Sequence, residues 1–161
     1  MRIAEHAIPP GWVSTPLLRA AEINPKAARF DISVGTLVDF LPMRAVRENF
    51  GGVGQFHARP FEEVRRGFTQ FQAGDIVFAK ITPCMENGKV AIVPALRATV
   101  GYGSTEFHVV RAGPAPLERW VAYFLSREAI RRLGRRNMTG SAGQAMWRYA
   151  CSNGLQEGNL R

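Results

Sequence analysis

The stretch FAKITPCMENGK, Phe78–Lys89, sets a cysteine, a proline, a methionine and two lysines at the end of an apolar run. A catalytic cysteine needs a stabilised thiolate and a positioned base. Cys84 could draw only on His6, His57 and His108, none of which stands with it in a recognisable local signature. Pro83-Cys84 also matches the start of the zinc-deaminase P-C-x-x-C signature, but position 87 is Asn. Gly101-Tyr102-Gly103-Ser104-Thr105 has the glycines of a phosphate cradle, yet it lacks the G-x-x-x-x-G-K-[ST] spacing and precedes a strand pattern instead of opening a helix. INPK at Ile23–Lys26 lacks the aromatic residue of an amino-methyltransferase motif. Glu62 and Glu63 are adjacent, and a helix or strand sends neighbours in different directions. No active site assembles from these residues, so the chain is expected to be non-catalytic and to hold no cofactor or metal. Cys84 reads as a small, partly buried apolar residue beside a proline turn, with Met85 packing alongside.

What remains are three loops in which Lys, Arg, Thr, Ser, Asn and Gln cluster beside glycine: KITPCMENGK, GYGSTEFH and RRNMTGSAGQ. Backbone amides beside glycine can approach phosphates closely, and these side chains are the types that bond phosphates and base edges. The candidate DNA contacts are Lys80, Thr82 and Lys89 in the first loop, Ser104 and Thr105 in the second, and Thr139, Ser141 and Gln144 in the third. Arg65 and Arg66 are candidate backbone contacts. Solvated turns of no further function would have the same composition.

The elements that must position these loops follow from periodicity. IPPGWVSTPLLRAAEINP offers Ser14 or Thr15 as an N-cap and Pro16 at the first helical position, predicting a short helix that ends before Asn24-Pro25. VGTLVDFLPM, closed by Pro42, and GDIVFAKI, entered through Gly74-Asp75, read as core strands. VAIVPAL is a further short strand, so Glu86-Asn87-Gly88 carries a hairpin-like turn with Gly88 at positive φ. GYGSTEFHVVRA alternates Thr105, Phe107 and Val109 against Ser104, Glu106 and His108, the pattern of one half-buried strand. Leu117, Trp120, Val121, Phe124 and Leu125 form the apolar stripe of an amphipathic helix running to about Leu133, with Gly134 as its stop. Strands first and a helix last make the class α+β, with a loop-rich β-sheet core, a short N-terminal helix and an amphipathic C-terminal helix.

A chain of 161 residues can bury a core, and one domain is the default at that length. Its 21 Lys and Arg against 13 Asp and Glu give a formal +8, a positive field that favours polyanionic partners, nucleic acid first. A basic protein without such a partner, or a basic subunit of a larger assembly, has the same charge. Cys84 and Cys151 lie far apart without C-x-x-C spacing, which excludes a disulfide scaffold and a zinc site and fits a reducing compartment. His6, Pro9, Pro10 and Gly11 interrupt the region where a secretory peptide needs an apolar run, and no membrane span is present, so a cytoplasmic location is expected.

FLPMRAV at Phe40–Val46, RPFEEVRRGFTQFQAGDIVFAKITPCMENGKVAIV at Arg59–Val93, GYGSTEFHVVR at Gly101–Arg111 and MTGSAGQ at Met138–Gln144 form an ordered set, preceded by IPPGWV. This set resembles the target recognition domain of type I restriction-modification specificity subunits. The resemblance implies a twisted-sheet fold like that of DNA methylase specificity domains, spanning residues 1–144. It also implies a module that reads about half of a bipartite double-stranded DNA target and docks modification (methyltransferase) subunits. Methylation and S-adenosylmethionine would belong to those partners, and ATP-driven translocation and cleavage to a restriction subunit. After Gln144 the likeness stops, and AMWRYACSNGLQEGNLR, residues 145–161, reads as a divergent, poorly ordered tail. A full specificity subunit resembles two such domains joined by long helices, so a truncated, single-domain form is expected. The alternative function is a fragment that no longer reads DNA and acts only as a protein-interaction piece.

Overall fold

The computed structural model describes residues 10, 13–113, 117–136, 138–139, 146–147 and 158–160. In chain order the elements are β1 (Val13–Thr15), α1 (Leu17–Ala20), β2 (Ala21–Ile23), β3 (Leu37–Leu41), β4 (His57–Pro60), α2 (Phe61–Val64), β5 (Thr69–Phe71), β6 (Ile76–Ala79), β7 (Val90–Ile92), β8 (Gly101–Gly103), β9 (Phe107–Ala112), α3 (Leu117–Ser126), α4 (Glu128–Arg136), β10 (Met138–Thr139), β11 (Met146–Trp147) and β12 (Gly158–Leu160). A 3-10 turn at Met43–Ala45 follows β3.

Two four-stranded sheets form the body. The first, in order β2-β9-β6-β7, is antiparallel throughout. The second, β4-β3-β8-β5, is mixed, with β3 and β8 parallel. Period-two alternation sorts the side chains into layers. Leu41, Phe71, Val77, Ala91, Val93, Phe107 and Val109 fill the space between the sheets. Ile76, Phe78, Val90 and Val110 point to the other face of the first sheet, where Val121, Ala122, Leu125 and Ile130 from α3 and α4 cover them. Val38 and Tyr102 point to the outer face of the second sheet, under Val64 of the α2 crossover and half-buried Phe30 and Ile32. The α+β class is the one expected, with a core of two sheets.

Several local expectations hold. The strands closed by Pro42 and entered through Gly74-Asp75 are β3 and β6. β6 and β7 form an antiparallel hairpin, and Gly88 has φ +67°. Met85 is fully buried, and half-buried Cys84 packs against the same apolar cluster.

Four expectations need correction. Residues 101–112 form two strands in different sheets, not one: Ser104 Oγ accepts from the Glu106 amide at 3.2 Å, which turns the chain at Thr105-Glu106 and carries it between layers. β9 is not half-buried, because its central place in a covered sheet buries Phe107, His108, Val109 and Val110 alike. The helix expected from Leu117 to Leu133 is two, α3 and α4, and Ser126 Oγ donates to the Tyr123 carbonyl at 2.8 Å where they part, a local bond that competes with helix continuation. Trp120 is 45% exposed at the edge of the stripe, and Gly134 lies buried inside α4 instead of stopping it. The first helix is only four residues long, follows Pro16 without a side-chain cap, and ends where β2 joins β9. Thr15, one of the two expected caps, closes β1, as Ser14 lies within it. β11 and β12 fall within residues 145–161.

Candidate nucleic-acid interface

Strand ends bring three chain segments to one edge of the sheets. Leu41 pairs with Gly103 at the end of β3 and β8, and Ala79 pairs with Phe107 where β6 ends and β9 begins. The Lys80 amide then donates to the Glu106 carbonyl at 3.0 Å, and the Ser104 amide to the Leu41 carbonyl at 3.2 Å. From the hairpin turn, Lys89 extends its Nζ to the Met43 carbonyl at 3.2 Å. Lys80, Lys89, Ser104 and Thr105, far apart in sequence, therefore share one end of the molecule with the Met43–Ala45 turn.

The cluster is braced as well as polar. Ser104 Oγ accepts from the Glu106 amide within the β8–β9 turn, and Lys89 Nζ donates to a backbone carbonyl, so both have structural duties. Thr105 is exposed at the tip of that turn, while Lys80 and Thr82 are half-buried. Arg65 and Arg66 are exposed on the crossover after α2, whose Val64 covers the outer face of the second sheet. Among the described residues no hydrogen bond ties them to the cluster. Thr139 belongs to β10, opposite Met146, while Ser141 and Gln144 lie outside the described residues.

A fourth loop belongs to this edge and was not among the expected ones. RENFGGVGQ, 47–55, has the same mixture of Arg, Asn and Gln beside glycine, the signal by which it could have been found. Its Asn49 and Phe50 amides donate to the Asn87 and Gly88 carbonyls at 2.9 and 3.1 Å, and Asn87 Nδ2 donates to Glu48 Oε1 at 2.7 Å. The two loops are thereby fastened together. Arg131 of α4 joins them, its Nη1 donating to Asn49 Oδ1 at 3.2 Å. Arg44 and Arg47 stand exposed on the same segment.

Not every arginine is available to a ligand. Arg111 grips buried Asp75 with two bonds of 2.8 Å, which raises its affinity for the proton above the usual arginine range, and Asp75 also accepts from the Gln72 amide. Arg97 binds buried Asp39 through Nε at 2.6 Å and its amide at 2.7 Å. These pairs hold a strand and a connection in place, and they neutralise two of the cations that make the chain basic.

The described histidines offer no base to Cys84 by hydrogen bond. His108 is buried, with its Nδ1 3.0 Å from Asn24 Nδ2, and Asn24 Oδ1 accepts from the Val109 amide at 3.1 Å. Among the described residues, no three His, Cys, Asp or Glu side chains converge as a metal site, and no helix is long and apolar enough to cross a membrane. The glycines that suggest a phosphate cradle face the core. A Cβ on Gly103 would lie 2.7 Å from the Leu41 carbonyl oxygen and 3.0 Å from the Phe71 ring.

Over 139 residues, 85% of its length, the chain is 40% identical to the type I restriction enzyme EcoAI specificity subunit of Escherichia coli. Over 138 residues it is 37% identical to the EcoEI specificity subunit of the same organism. The chain spans 23% of the length of each of these relatives. A chain in a solved structure on complex assembly and conformational transition of the type I R-M system has the same fold, with a TM-score of 0.63 at 18% identity, covering 88% of this chain and 36% of that one. The HsdS subunit from Thermoanaerobacter tengcongensis gives a TM-score of 0.62 at 18% identity, with the same shares covered. No protein-family model matches the chain.

Proposed function

Since the chain belongs to the type I restriction enzyme specificity subunit family, being homologous to one stretch of its members, we propose that it is a target recognition module: a non-catalytic domain that binds double-stranded DNA and reads one half-site of a bipartite target. The observation that carries this reading is the alignment with two specificity subunits over 85% of the chain. The edge where polar, lysine-bearing loops from both sheets meet supports it physically. In this reading Lys80, Lys89, Arg65 and Arg66 neutralise phosphates, while Thr82, Ser104 and Thr105 reach base edges or sugar. Thr139, Ser141 and Gln144 contribute from the segment after α4. The module directs modification (methyltransferase) and restriction subunits of the same system, in the cytoplasm, and leaves cofactor chemistry to them.

The test is a titration of the purified chain with a pool of random-sequence duplex DNA at low and moderate salt, followed by sequencing of what is retained. Enrichment of a motif of a few base pairs is the expected result, with each correct pair worth ~1–3 kcal/mol. Retention without enrichment at either salt would contradict half-site reading, because only the sequence-independent phosphate attraction would then be present. Absence of any retention would contradict DNA binding itself and return the protein-interaction alternative.

A further inference from the structure

We propose that α4, with Arg127 just before it, is a phosphate-binding ridge, whose arginines lie along the backbone of duplex DNA beside the loops at the sheet edge. This deepens the recognition-module reading and rests on it. Arg131 and Arg135 fall at i and i+4 on one face of α4, with a rise of about 6 Å between them. The carbonyl of Arg127, at the break just before α4, accepts from the Arg131 amide at 3.2 Å, so Arg127 stands one turn ahead of them. Arg127 and Arg135 are exposed, and Arg131 is half-buried where it meets Asn49. Arg132 and Arg136 follow around the exposed side of the helix. Against these five arginines, residues 127–136 contain one acid, Glu128, which Arg132 approaches at 3.5 Å. That surplus of four is half of the chain's formal +8.

Folding alone does not account for the ridge. Like charges four residues apart destabilise a helix, and among the described residues no acid lies within ion-pair distance of Arg127, Arg131 or Arg135. Arg97 and Arg111 differ in this respect, each having a buried aspartate. The helix dipole welcomes cations in the last turn, but that covers Arg135 and Arg136 and leaves Arg131 at mid-helix. A polyanion relieves the repulsion. One strand of duplex DNA carries a phosphate about every 3.4 Å of axis, so a ridge about 12 Å long spans roughly three or four of them. Guanidinium groups suit the contact because their planar fork meets phosphate oxygens in pairs. The ridge is also continuous with the candidate interface: Arg131 bonds Asn49, Asn49 bonds Asn87, and the same turn ends at Lys89. Exposed Arg47 lies on the segment between them.

The experiment compares the full chain with the double variant Arg127→Gln/Arg135→Gln in titrations of random-sequence duplex DNA over a range of salt. The variant is expected to bind all sequences more weakly, with the slope of log K against log salt smaller by about two, since each phosphate contact contributes about 0.9. Its selected base motif should stay that of the parent, and Arg127→Lys/Arg135→Lys should retain most of the slope. Thermal unfolding of both variants checks that the fold survives. An unchanged slope in a folded Gln variant overturns the ridge while leaving DNA recognition intact. A changed base motif overturns its backbone role. If the unaltered chain binds no DNA, the recognition reading fails and the ridge with it.

Discussion

Lys80 sits where a strand becomes a loop, half-buried, with its amide donating to the Glu106 carbonyl at the edge where the loops gather. A lysine in that position acts as a point charge and carries no sequence information. Lys80→Ala is therefore expected to weaken binding to all duplexes alike and to lower the salt slope by about one; a loss confined to one base position, read by competition with single-substituted duplexes, would contradict that role. Cys84 packs beside fully buried Met85 with its thiol in apolar surroundings. Replacement of Cys84 by Ala should leave DNA affinity within a few fold, and a collapse of binding in a folded variant would reopen the reactive-cysteine case. Glu62 is governed by local backbone: its own amide and that of Gly35, 3.1 Å away, hold its carboxyl below the usual glutamate range. Because its folded pKa is depressed, its contribution to stability is present above the ordinary glutamate pKa and is lost as pH falls through the lowered one. Carbon-13 NMR titration should find a midpoint below that of a model glutamate, and a midpoint at or above it would refute the assignment.

At the scale of elements, β8 shows how a loop-like phrase becomes structural. Its two glycines let the Phe71 ring lie flat against the strand, and Gly103 also passes close to the Leu41 carbonyl. A methyl group there meets backbone, which yields less readily than a side-chain tip. Gly103→Ala is expected to destabilise the chain by about 1–3 kcal/mol, the range of overpacking in a filled core. Urea unfolding measures this, and a neutral result would mean that the sheets separate without cost. α3 and α4 make a second case. Their shared apolar stripe is legible from spacing, but the break at Arg127 is not, because it depends on a serine hydroxyl choosing a backbone carbonyl and on Ile130 finding the core.

At the scale of the whole molecule, stability resides in the layer between the sheets, where Phe71 is fully buried among residues from both. Phe71→Ala should cost about 3–5 kcal/mol, a large share of the roughly 5–15 kcal/mol that holds a typical domain folded. Chemical denaturation would show it, and a loss under 1 kcal/mol would argue against a common core. Charge is also organised at this scale. The formal +8 is a sum over the chain; Arg97 and Arg111 are each matched by a buried aspartate, while the arginine-rich stretch from Arg127 to Arg136 carries a surplus of four.

The sequence by itself determined the class, the main core strands β3, β6 and β7, the hairpin turn at Gly88 and the absence of a local catalytic signature, because each depends on neighbours a few residues apart. Its ordered motifs also pointed to the family, which the alignment with two specificity subunits bears out. Only the tertiary structure decided that residues 101–112 divide between two sheets, since local alternation does not reveal how many faces of a strand are covered. It alone joined Asn49, Asn87 and Arg131, residues separated by up to 82 positions, into one surface. Contacts of that kind are settled by where strands end in space, and sequence distance carries no record of it.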